Sequence, residues 1–410
     1  MKTLLWCTTA FPVTQEERLA RRPISRDNDA FQKMLAGYEQ MARWADELGF
    51  DAFGSTEHHM QTEGGEAIGN NILLYAKLAT LTSRIKLIPM SVVLATHDPI
   101  RVAEDLALFT HMYPGRLGGF ALARGYQTRW LQTLSQSDKI AALHPDSDAR
   151  NREVFDDFLS VLEKALTEDS FNHNGPHYQA PYPASGIPNW PIADWTRNYG
   201  APGDVDEGGT IRKIGIVPKP MEVPQVFIPF TTSKQTIINA ARKGHTLLIM
   251  AGTREQISDV AELYRDTARE AGRNLRLGEN VGVCNHMALG ETYDEAFDLA
   301  VRSSGFWHHN FFGKFGFNER FRRPTDDPKW PLELADERAL TQRMIEFGQL
   351  LCGTGEQVRD QLKEMTELRG GHRVDWVVWE YWHQANPSNW AAVQQYQLKT
   401  YAEQVMPHFR

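Results

Sequence analysis

A glutamate and two adjacent histidines, Glu57-His58-His59, follow a stretch that is typical of a β-strand, residues 50–55. Neighbouring side chains on a strand point to opposite faces, so the two histidines are not expected to bind one metal together. One of them can face an active site as a proton donor, a proton acceptor or a hydrogen-bond partner. The alternative is a pair of structural histidines, and the spacing alone does not decide between the two.

Two further motifs could bind an anion. Arg124-Gly125 follows a predicted strand at 116–123, where the guanidinium can fork onto a phosphate and the glycine lets the backbone come close. The hydroxyl-rich run Thr231-Thr232-Ser233-Lys234-Gln235-Thr236 opens a predicted helix, whose first amides are free to bind an anion. Each motif alone also fits a surface turn or an ordinary helix cap. The ends of strands four and five are neighbours in a barrel, so we expect Arg124, Ser233 and Thr236 to share one phosphate.

Other histidines give weaker signals. His173 and His177 flank a loop, and zinc would need three or four converging ligands there. His308 and His309 diverge if they lie on a helix, which favours a lid or a substrate wall near Trp307 and Phe311-Phe312. We therefore predict no metal site. The sequence holds no GxSxG, Walker or HExxH motif.

Strand-like and helix-like segments alternate along the chain. Eight strands are predicted. The first ends at Trp6, and the other seven span 50–55, 85–94, 116–123, 226–230, 246–250, 281–289 and 374–380. Asn70 or Asn71 and Asp98-Pro99 are predicted to begin helices, and Gly49 to end one. No GxGxxG motif follows the first strand, so a Rossmann site is unsupported. We predict an α/β fold, a single (β/α)8 TIM barrel over 1–410, with irregular insertions at about 171–215 and 305–341. Its active site should lie at the carboxyl ends of the strands.

Composition narrows the class of protein. The 410 residues are 41% hydrophobic and 23% charged, as in ordinary globular proteins, and the net charge of −8 argues against nucleic acid or anionic membranes as partners. No segment approaches the roughly 18 apolar residues of a membrane span. The three scattered cysteines form no disulfide framework. We expect a cytoplasmic protein.

Several motifs in the same order resemble the bacterial luciferase-like flavin-dependent monooxygenase family. They are Gly49-Phe50-Asp51 with Glu57-His58-His59, Thr82-Ser83-Arg84-Ile85-Lys86-Leu87, His97-Asp98-Pro99, Pro114-Gly115-Arg116, Ala123-Arg124-Gly125, Pro218-Lys219-Pro220, Ala240-Ala241-Arg242-Lys243-Gly244 and Cys352-Gly353-Thr354-Gly355-Glu356. Each motif is weak alone, and the ordered set is more specific. The match departs from the family at Phe120 and Ala123, where related enzymes often have glycine.

The resemblance implies a function and a set of site residues. The expected enzyme is an FMNH2-dependent monooxygenase of a two-component system, which inserts one atom of O2 into a small apolar substrate via a flavin C4a-(hydro)peroxide. A transient NAD(P)H:flavin reductase would supply the reduced FMN, and the chain would form a homodimer. His58 matches the family's catalytic histidine, and Ser91 matches a position with an unusual cis peptide beneath the flavin. The implied cofactor-binding residues are Glu57, Ser91, Arg124, Gly125, Thr232, Ser233 and Thr236.

Three alternatives stay open at this point. The same barrel serves deazaflavin (F420)-dependent hydride-transfer oxidoreductases, which would turn over without regard to oxygen. A flavin-binding protein without turnover is the second alternative. The third, a cofactor-free barrel hydrolase, would need paired carboxylates or a metal site, and neither is evident in the sequence.

Overall fold

The computed structural model describes residues 1–140, 146–229, 233–250, 252–382 and 390–410. Its strands are β1 (Lys2–Cys7), β2 (Ala52–Gly54), β3 (Lys86–Leu87), β4 (Val92–Val93), β5 (Phe120–Ala123), β6 (His173–Asn174), β7 (Gln179–Ala180), β8 (Val226–Ile228), β9 (Thr246–Met250), β10 (Val281–Leu289), β11 (Leu350–Gly353) and β12 (Trp376–Tyr381). Its α-helices are α1 (Gln15–Ala20), α2 (Asn28–Glu47), α3 (Asn71–Leu81), α4 (Pro99–Met112), α5 (Thr128–Ser135), α6 (Asp148–Thr167), α7 (Ala193–Tyr199), α8 (Lys234–Lys243), α9 (Arg254–Glu270), α10 (Tyr293–Ala300), α11 (Phe306–Asn310), α12 (Glu337–Glu346), α13 (Gly355–Thr366) and α14 (Trp390–Thr400).

The chain divides by its internal contacts into two compact units. Unit 1 comprises Met1–Ser91, Gly118–Ala121 and Gln225–Arg410, and unit 2 comprises Val92–Leu117 and Leu122–Pro224. In unit 1 the strands form a parallel sheet in the order β3-β2-β1-β12-β10-β9-β8, followed by the first half of β5. Strand β11 pairs in parallel with β10. Parallel strands end at one edge of a sheet, so residues after β2, β10 and β12 are brought to the same edge.

The central strands of unit 1 are buried along their whole length. All nine residues of β10 and all six residues of β12 are buried. Apolar side chains from seven strands, including Leu4, Phe227 and Val378, form one core cluster. Burial on both faces is the environment expected of parallel strands covered by helices, and it makes any polar residue within β10 or β12 conspicuous.

The helix ends follow the predicted capping residues. Asn70 Oδ1 accepts from Leu73 N at 2.8 Å, and Asp98 accepts from the first amides of α4, which begins at Pro99. Gly49 follows α2 with φ of +88°, a conformation that glycine adopts without strain. These local predictions are confirmed.

The predicted strand at 85–94 is wrong in its extent. Only Lys86–Leu87 and Val92–Val93 are strands, and a 3₁₀ helix follows at Leu94–Thr96. Pro89 lies between the two short strands and has no N–H with which to continue a ladder. The continuous apolar run therefore indicated that these residues are buried, but it did not indicate how long the strand is.

The insertion predicted as a long loop at 171–215 has secondary structure of its own. It contains the antiparallel pair β6–β7 and helix α7 within unit 2. Asp157 organises its start, because its carboxylate accepts from His177 N and Tyr178 N and lies 2.7 Å from His173 Nε2. His173 therefore has a structural partner.

The second insertion, predicted at 305–341, is a series of short helical turns. A π-helix at Val301–Gly305 continues into α11, and 3₁₀ helices follow at Phe312–Phe315 and Phe317–Phe321. Phe321 packs into a core cluster with α10, α12 and β11. Among the described residues, no helix has both the length and the apolar character to cross a membrane.

Candidate active site

His58 lies in the irregular segment after β2 and is buried. Its Nδ1 is 2.7 Å from Oε2 of Glu66 and 3.0 Å from Nε2 of Gln61. Glu66 is held in turn by Thr56 Oγ1, which donates to Oε1 at 2.8 Å, and its own N–H donates to Gln61. These contacts at Nδ1 fix the ring and leave Nε2 as the nitrogen that can exchange a proton elsewhere.

The neighbouring histidine has a different partner. His59 Nε2 lies 2.8 Å from Glu57 Oε1. The backbone N–H of Glu57 donates to Ser91 Oγ at 3.0 Å. This hydrogen bond holds the segment after β2 against Ser91, which follows β3 in the chain. His58 and His59 thus face different carboxylates, in keeping with the expectation that they do not bind one metal together.

The resemblance-based expectation of a cis peptide at Ser91 is wrong. Among the described residues, cis bonds precede prolines alone, and the peptide bonds of Ser91 are trans. The trans form is the cheaper one by about 3 kcal/mol where no proline follows. Ser91 instead has two hydrogen-bond roles, accepting from Glu57 N through Oγ and from Asn71 Nδ2 through its carbonyl oxygen.

A second buried polar cluster lies at the carboxyl ends of β10 and β12. His286 Nε2 is 3.2 Å from His308 Nε2 and 3.6 Å from Glu380 Oε2. Trp382 Nε1 donates to Glu380 Oε1 at 2.9 Å, and His308 Nδ1 lies 3.4 Å from Asn318 Oδ1. Side chains from two strands and from the second insertion therefore meet in one place.

Burial sets the charges in this cluster. Burial raises the pKa of Glu380 from its ordinary 4.5 to about 7, and the charge of Glu66 contributes while Trp382 and Arg320 oppose the rise. Burial lowers the pKa of His286 to about 3 and that of His308 well below its usual range, with the charge of Arg320 adding to both. At neutral pH both imidazoles are uncharged and Glu380 is near its midpoint.

Sequence reasoning missed Glu66, His286, Arg320 and Glu380. A signal was present for two of them, because Glu380 and His286, the latter together with Asn285, interrupt mostly apolar and fully buried strands. Buried ionisable groups of this kind are expensive and cluster at functional sites. Glu66 and Arg320 lie in irregular segments, where no pattern in the sequence distinguishes them.

Aromatic side chains border the same cluster. The rings of Trp307 and Trp382 are 5.6 Å apart, and those of Phe312 and Trp382 are 4.8 Å apart. All three side chains are buried. The prediction that the Trp307 region forms a wall stays a prediction, and these contacts favour it.

The predicted phosphate residues divide between the two units. In unit 2, Arg124 Nη1 lies 2.7 Å from Asp148 Oδ1, and Gly125 has φ of +74°. A Cβ on Gly125 would meet Leu131 at 2.5 Å, so this turn requires glycine.

In unit 1, Ser233 is the N-cap of α8 and Thr236 lies in its first turn. Thr232 lies outside the described residues. The expectation that Arg124, Ser233 and Thr236 share one phosphate therefore stays a prediction.

Comparison with known proteins identifies the family. The model of the luciferase-like monooxygenase family matches residues 19–372. The alkanal monooxygenase beta chain of Photorhabdus luminescens is 23% identical over 151 residues, 37% of this chain and 42% of that protein. The chain spans between 37% and 51% of the length of the curated relatives that it matches.

Two solved structures extend the likeness to nearly the whole chain. One is a type II Baeyer-Villiger monooxygenase, the oxygenating constituent of 3,6-diketocamphane monooxygenase from Pseudomonas putida, in complex with FMN. It is 18% identical with a TM-score of 0.69, over 99% of this chain and 98% of that one. The other is an F420-dependent secondary alcohol dehydrogenase, 14% identical with a TM-score of 0.63 over 100% of both chains. They confirm the predicted luciferase-like TIM-barrel fold. The family match covers residues 19–372, most of the chain, and this chain therefore belongs to the luciferase-like monooxygenase family.

Proposed function

We propose that this chain is the oxygenating component of a two-component system that uses reduced FMN to insert one atom of O2 into a small apolar substrate. The observation that carries the proposal is the buried pair of His58 and Glu66, 2.7 Å apart at the carboxyl end of β2. A histidine fixed in this way can hand over a proton from its other nitrogen, at the edge of the sheet where barrel enzymes do their chemistry.

Each unit holds residues of the kind that binds the phosphate of a flavin. Arg124 lies directly after β5 and has donors besides the Nη1 that contacts Asp148, and the tight turn at Gly125 has no room for a side chain. Ser233, Lys234 and Thr236 open α8, where the first backbone amides have no partner within the helix. Glu57 and Ser91, hydrogen-bonded to each other, would support the flavin ring from the end of β2.

The flavin supplies the electrons and the activation of O2, and the chain supplies position, dryness and a proton. His58 would donate that proton, or a hydrogen bond, to the activated oxygen at the reaction centre. Glu66 keeps the His58 ring in one orientation. Trp307, Phe312 and Trp382 would exclude water, which such chemistry requires.

The partners in this proposal are a separate flavin reductase, O2 and a second copy of the chain in the cytoplasm. The printed description of the Pseudomonas putida structure as an "oxygenating constituent" supports a division of labour between oxygenase and reductase. Related alkanal monooxygenases are described as alpha and beta chains, which supports assembly with a second chain of the same kind.

Anaerobic titration with reduced FMN, followed by mixing with oxygen and candidate ketones or aldehydes, tests the proposal. We expect saturable binding of reduced FMN and incorporation of ¹⁸O from ¹⁸O2 into product. The matched titration uses reduced F420 under the same conditions. Tight binding of F420 with oxygen-independent hydride transfer would replace the proposal with the dehydrogenase alternative, and binding without turnover of either cofactor would replace it with a carrier role.

A further inference from the structure

Arg320 is a partly buried arginine, and two of its hydrogen-bond donors are unused. It lies in the 3₁₀ turn Phe317–Phe321 of the second insertion, with Nη1 2.8 Å from Met250 Sδ and its guanidinium 4.7 Å from the ring centroid of Phe321. Its Nε and Nη2 atoms are buried and have no hydrogen-bond partner within the described residues. Burial lowers its pKa to about 10, so it stays charged at neutral pH.

A nearby arginine shows what a purely structural role looks like. Arg343 is buried on α12, and its Nη1 donates to Phe321 O and to Asp326 Oδ2, both at 2.8 Å. It is thus bonded to a backbone carbonyl and to a carboxylate. The neighbours of Arg320 are the thioether sulfur of Met250 and the ring of Phe321. Both are weaker partners for a guanidinium than a carbonyl oxygen or a carboxylate.

Glu380 faces the same space with an unused acceptor. Its Oε1 accepts from Trp382, while Oε2 has no hydrogen-bond partner within the described residues. Glu380 and Arg320 stabilise each other's charged forms, yet they form no ion pair at contact distance within those residues. The two side chains border one cluster. The Phe321 ring next to Arg320 is 6.1 Å from that of His308. His308 in turn contacts His286, which lies beside Glu380. Two opposite charges on one cluster, both with unsatisfied buried atoms, can be satisfied together by one polar group.

We propose that Arg320 and Glu380 form a substrate subsite that binds a carboxylate, with Nε and Nη2 of Arg320 donating in parallel to its two oxygens. Parallel N–H donors on one edge of a guanidinium match the planar geometry of a carboxylate. Glu380, in its protonated form, donates its O–H to one of the same oxygens. The inference rests on the proposed function and narrows it to apolar substrates that carry one acidic group.

The adjoining residues suit such a substrate. The rings of Trp307, Phe312 and Trp382 bound the cluster on the side of Glu380, where an apolar body can pack. Gly65, the residue before Glu66, lies against the same aromatic side chains, because a Cβ on Gly65 would be 3.6 Å from the Trp307 ring. A molecule that packs against Trp307 would therefore lie beside the segment that carries Glu66, the partner of His58.

The test compares carboxylates with neutral isosteres. Benzoate, phenylacetate, cyclohexanecarboxylate and octanoate, together with their primary amides, are titrated into the FMN-loaded enzyme and followed by calorimetry and by the flavin spectrum. We expect at least one acid to bind, its amide to bind at least tenfold more weakly, and Arg320→Gln to weaken the acid by about 10- to 100-fold. Arg320→Lys keeps the positive charge but cannot donate two parallel hydrogen bonds. Its affinity for the acid should therefore lie between those of wild type and Arg320→Gln.

Two controls separate this outcome from others. Arg323→Gln removes an exposed arginine paired with Glu346 in the same segment, and it should bind the acid like wild type. Arg320→Gln should keep its affinity for reduced FMN and a melting temperature at or above that of wild type, because it removes an unsatisfied buried charge. Equal binding of the acids by wild type and Arg320→Gln, binding of no acid, or loss of FMN affinity in Arg320→Gln would each overturn the inference. None of these results bears on ¹⁸O incorporation, which tests the proposed function separately.

Discussion

Nδ1 of His58 and Oε2 of Glu66 lie 2.7 Å apart, and both side chains are buried. A carboxylate at that distance restrains the orientation of an imidazole. Thr56 donates to the carboxylate, and Gln61 accepts from the backbone N–H of Glu66 and contacts Nδ1 of His58, so the pair is a rigid unit. The position of the ring is therefore set before any ligand arrives.

The first prediction concerns His58 as proton donor. His58→Ala should bind reduced FMN like wild type, while product formed per O2 consumed falls and H2O2 rises. Loss of a general acid or base typically costs 10²- to 10⁴-fold in rate. His111→Ala is the matched control, since His111 is exposed and bonds to Lys219 O. Unchanged product yield in His58→Ala would remove this residue from the mechanism.

The second prediction treats Glu66 as a positioning residue. Glu66→Gln keeps the size of the side chain and loses the charge that orients His58, so kcat should fall about tenfold or more while KM for reduced FMN stays unchanged. Glu66→Asp, which restores the carboxylate, should recover part of the rate. A merely structural role would lower stability and leave the ratio of product to H2O2 as in wild type.

The third prediction concerns the phosphate. Arg124→Gln should weaken binding of reduced FMN about 10- to 100-fold in an anaerobic fluorescence titration, because a charge-assisted fork is lost. Arg152→Gln is the matched control, since Arg152 Nη2 lies 3.4 Å from the same carboxylate of Asp148. If the two variants bind reduced FMN equally well, Arg124 does not hold the phosphate.

The fourth prediction is a pH dependence of stability from Glu380. Its pKa of about 7 lies above its ordinary value of 4.5, so folding favours the protonated form. That stabilisation is fully present below pH 4.5 and is lost as pH rises through 7, by up to roughly 3 kcal/mol.

Urea unfolding of wild type and Glu380→Gln from pH 5 to 8 checks this dependence. The glutamine cannot ionise, so the free energy of unfolding of wild type should fall relative to that of the variant across this range. Parallel curves for the two proteins would show that Glu380 titrates as it does in the unfolded chain.

The sequence predicted those parts of the fold that depend on local chemistry. Asn70 and the Asp98-Pro99 pair begin helices because their side chains satisfy the first free amides, and that requirement is visible in a few residues. The apolar run at 85–94 was ambiguous, because burial on both faces hides where a strand begins and ends. The interruption at Pro89 is a local feature, but its effect depends on the neighbouring strands.

The polar cluster could be predicted only in part, because its members meet through tertiary structure. His58 was found through its position after a strand and through a family motif. Glu66 and Arg320 come from irregular segments, and only the fold places them near the carboxyl ends of β2 and β12. A glutamate within the apolar stretch Trp376–Tyr381 was the strongest overlooked signal, since a buried carboxylate needs a reason to be there.

The fifth prediction tests how the fold positions the strands that carry the site. Asp46, on α2, accepts from the backbone N–H groups of Ser83 at 2.7 Å, Arg84 at 3.0 Å and Ile85 at 2.6 Å. Asp46→Ala leaves these three donors without their acceptor just before β3, which should lower the free energy of unfolding by about 2–4 kcal/mol. Asp46→Asn retains one acceptor oxygen, so its free energy of unfolding should fall by less. Glu47→Ala changes the next residue, which is exposed, and should lower the free energy of unfolding by under about 0.5 kcal/mol. Urea denaturation measures all three, and an Asp46→Ala loss no larger than that of Glu47→Ala would mean that water replaces the carboxylate and that packing alone holds β3 in place.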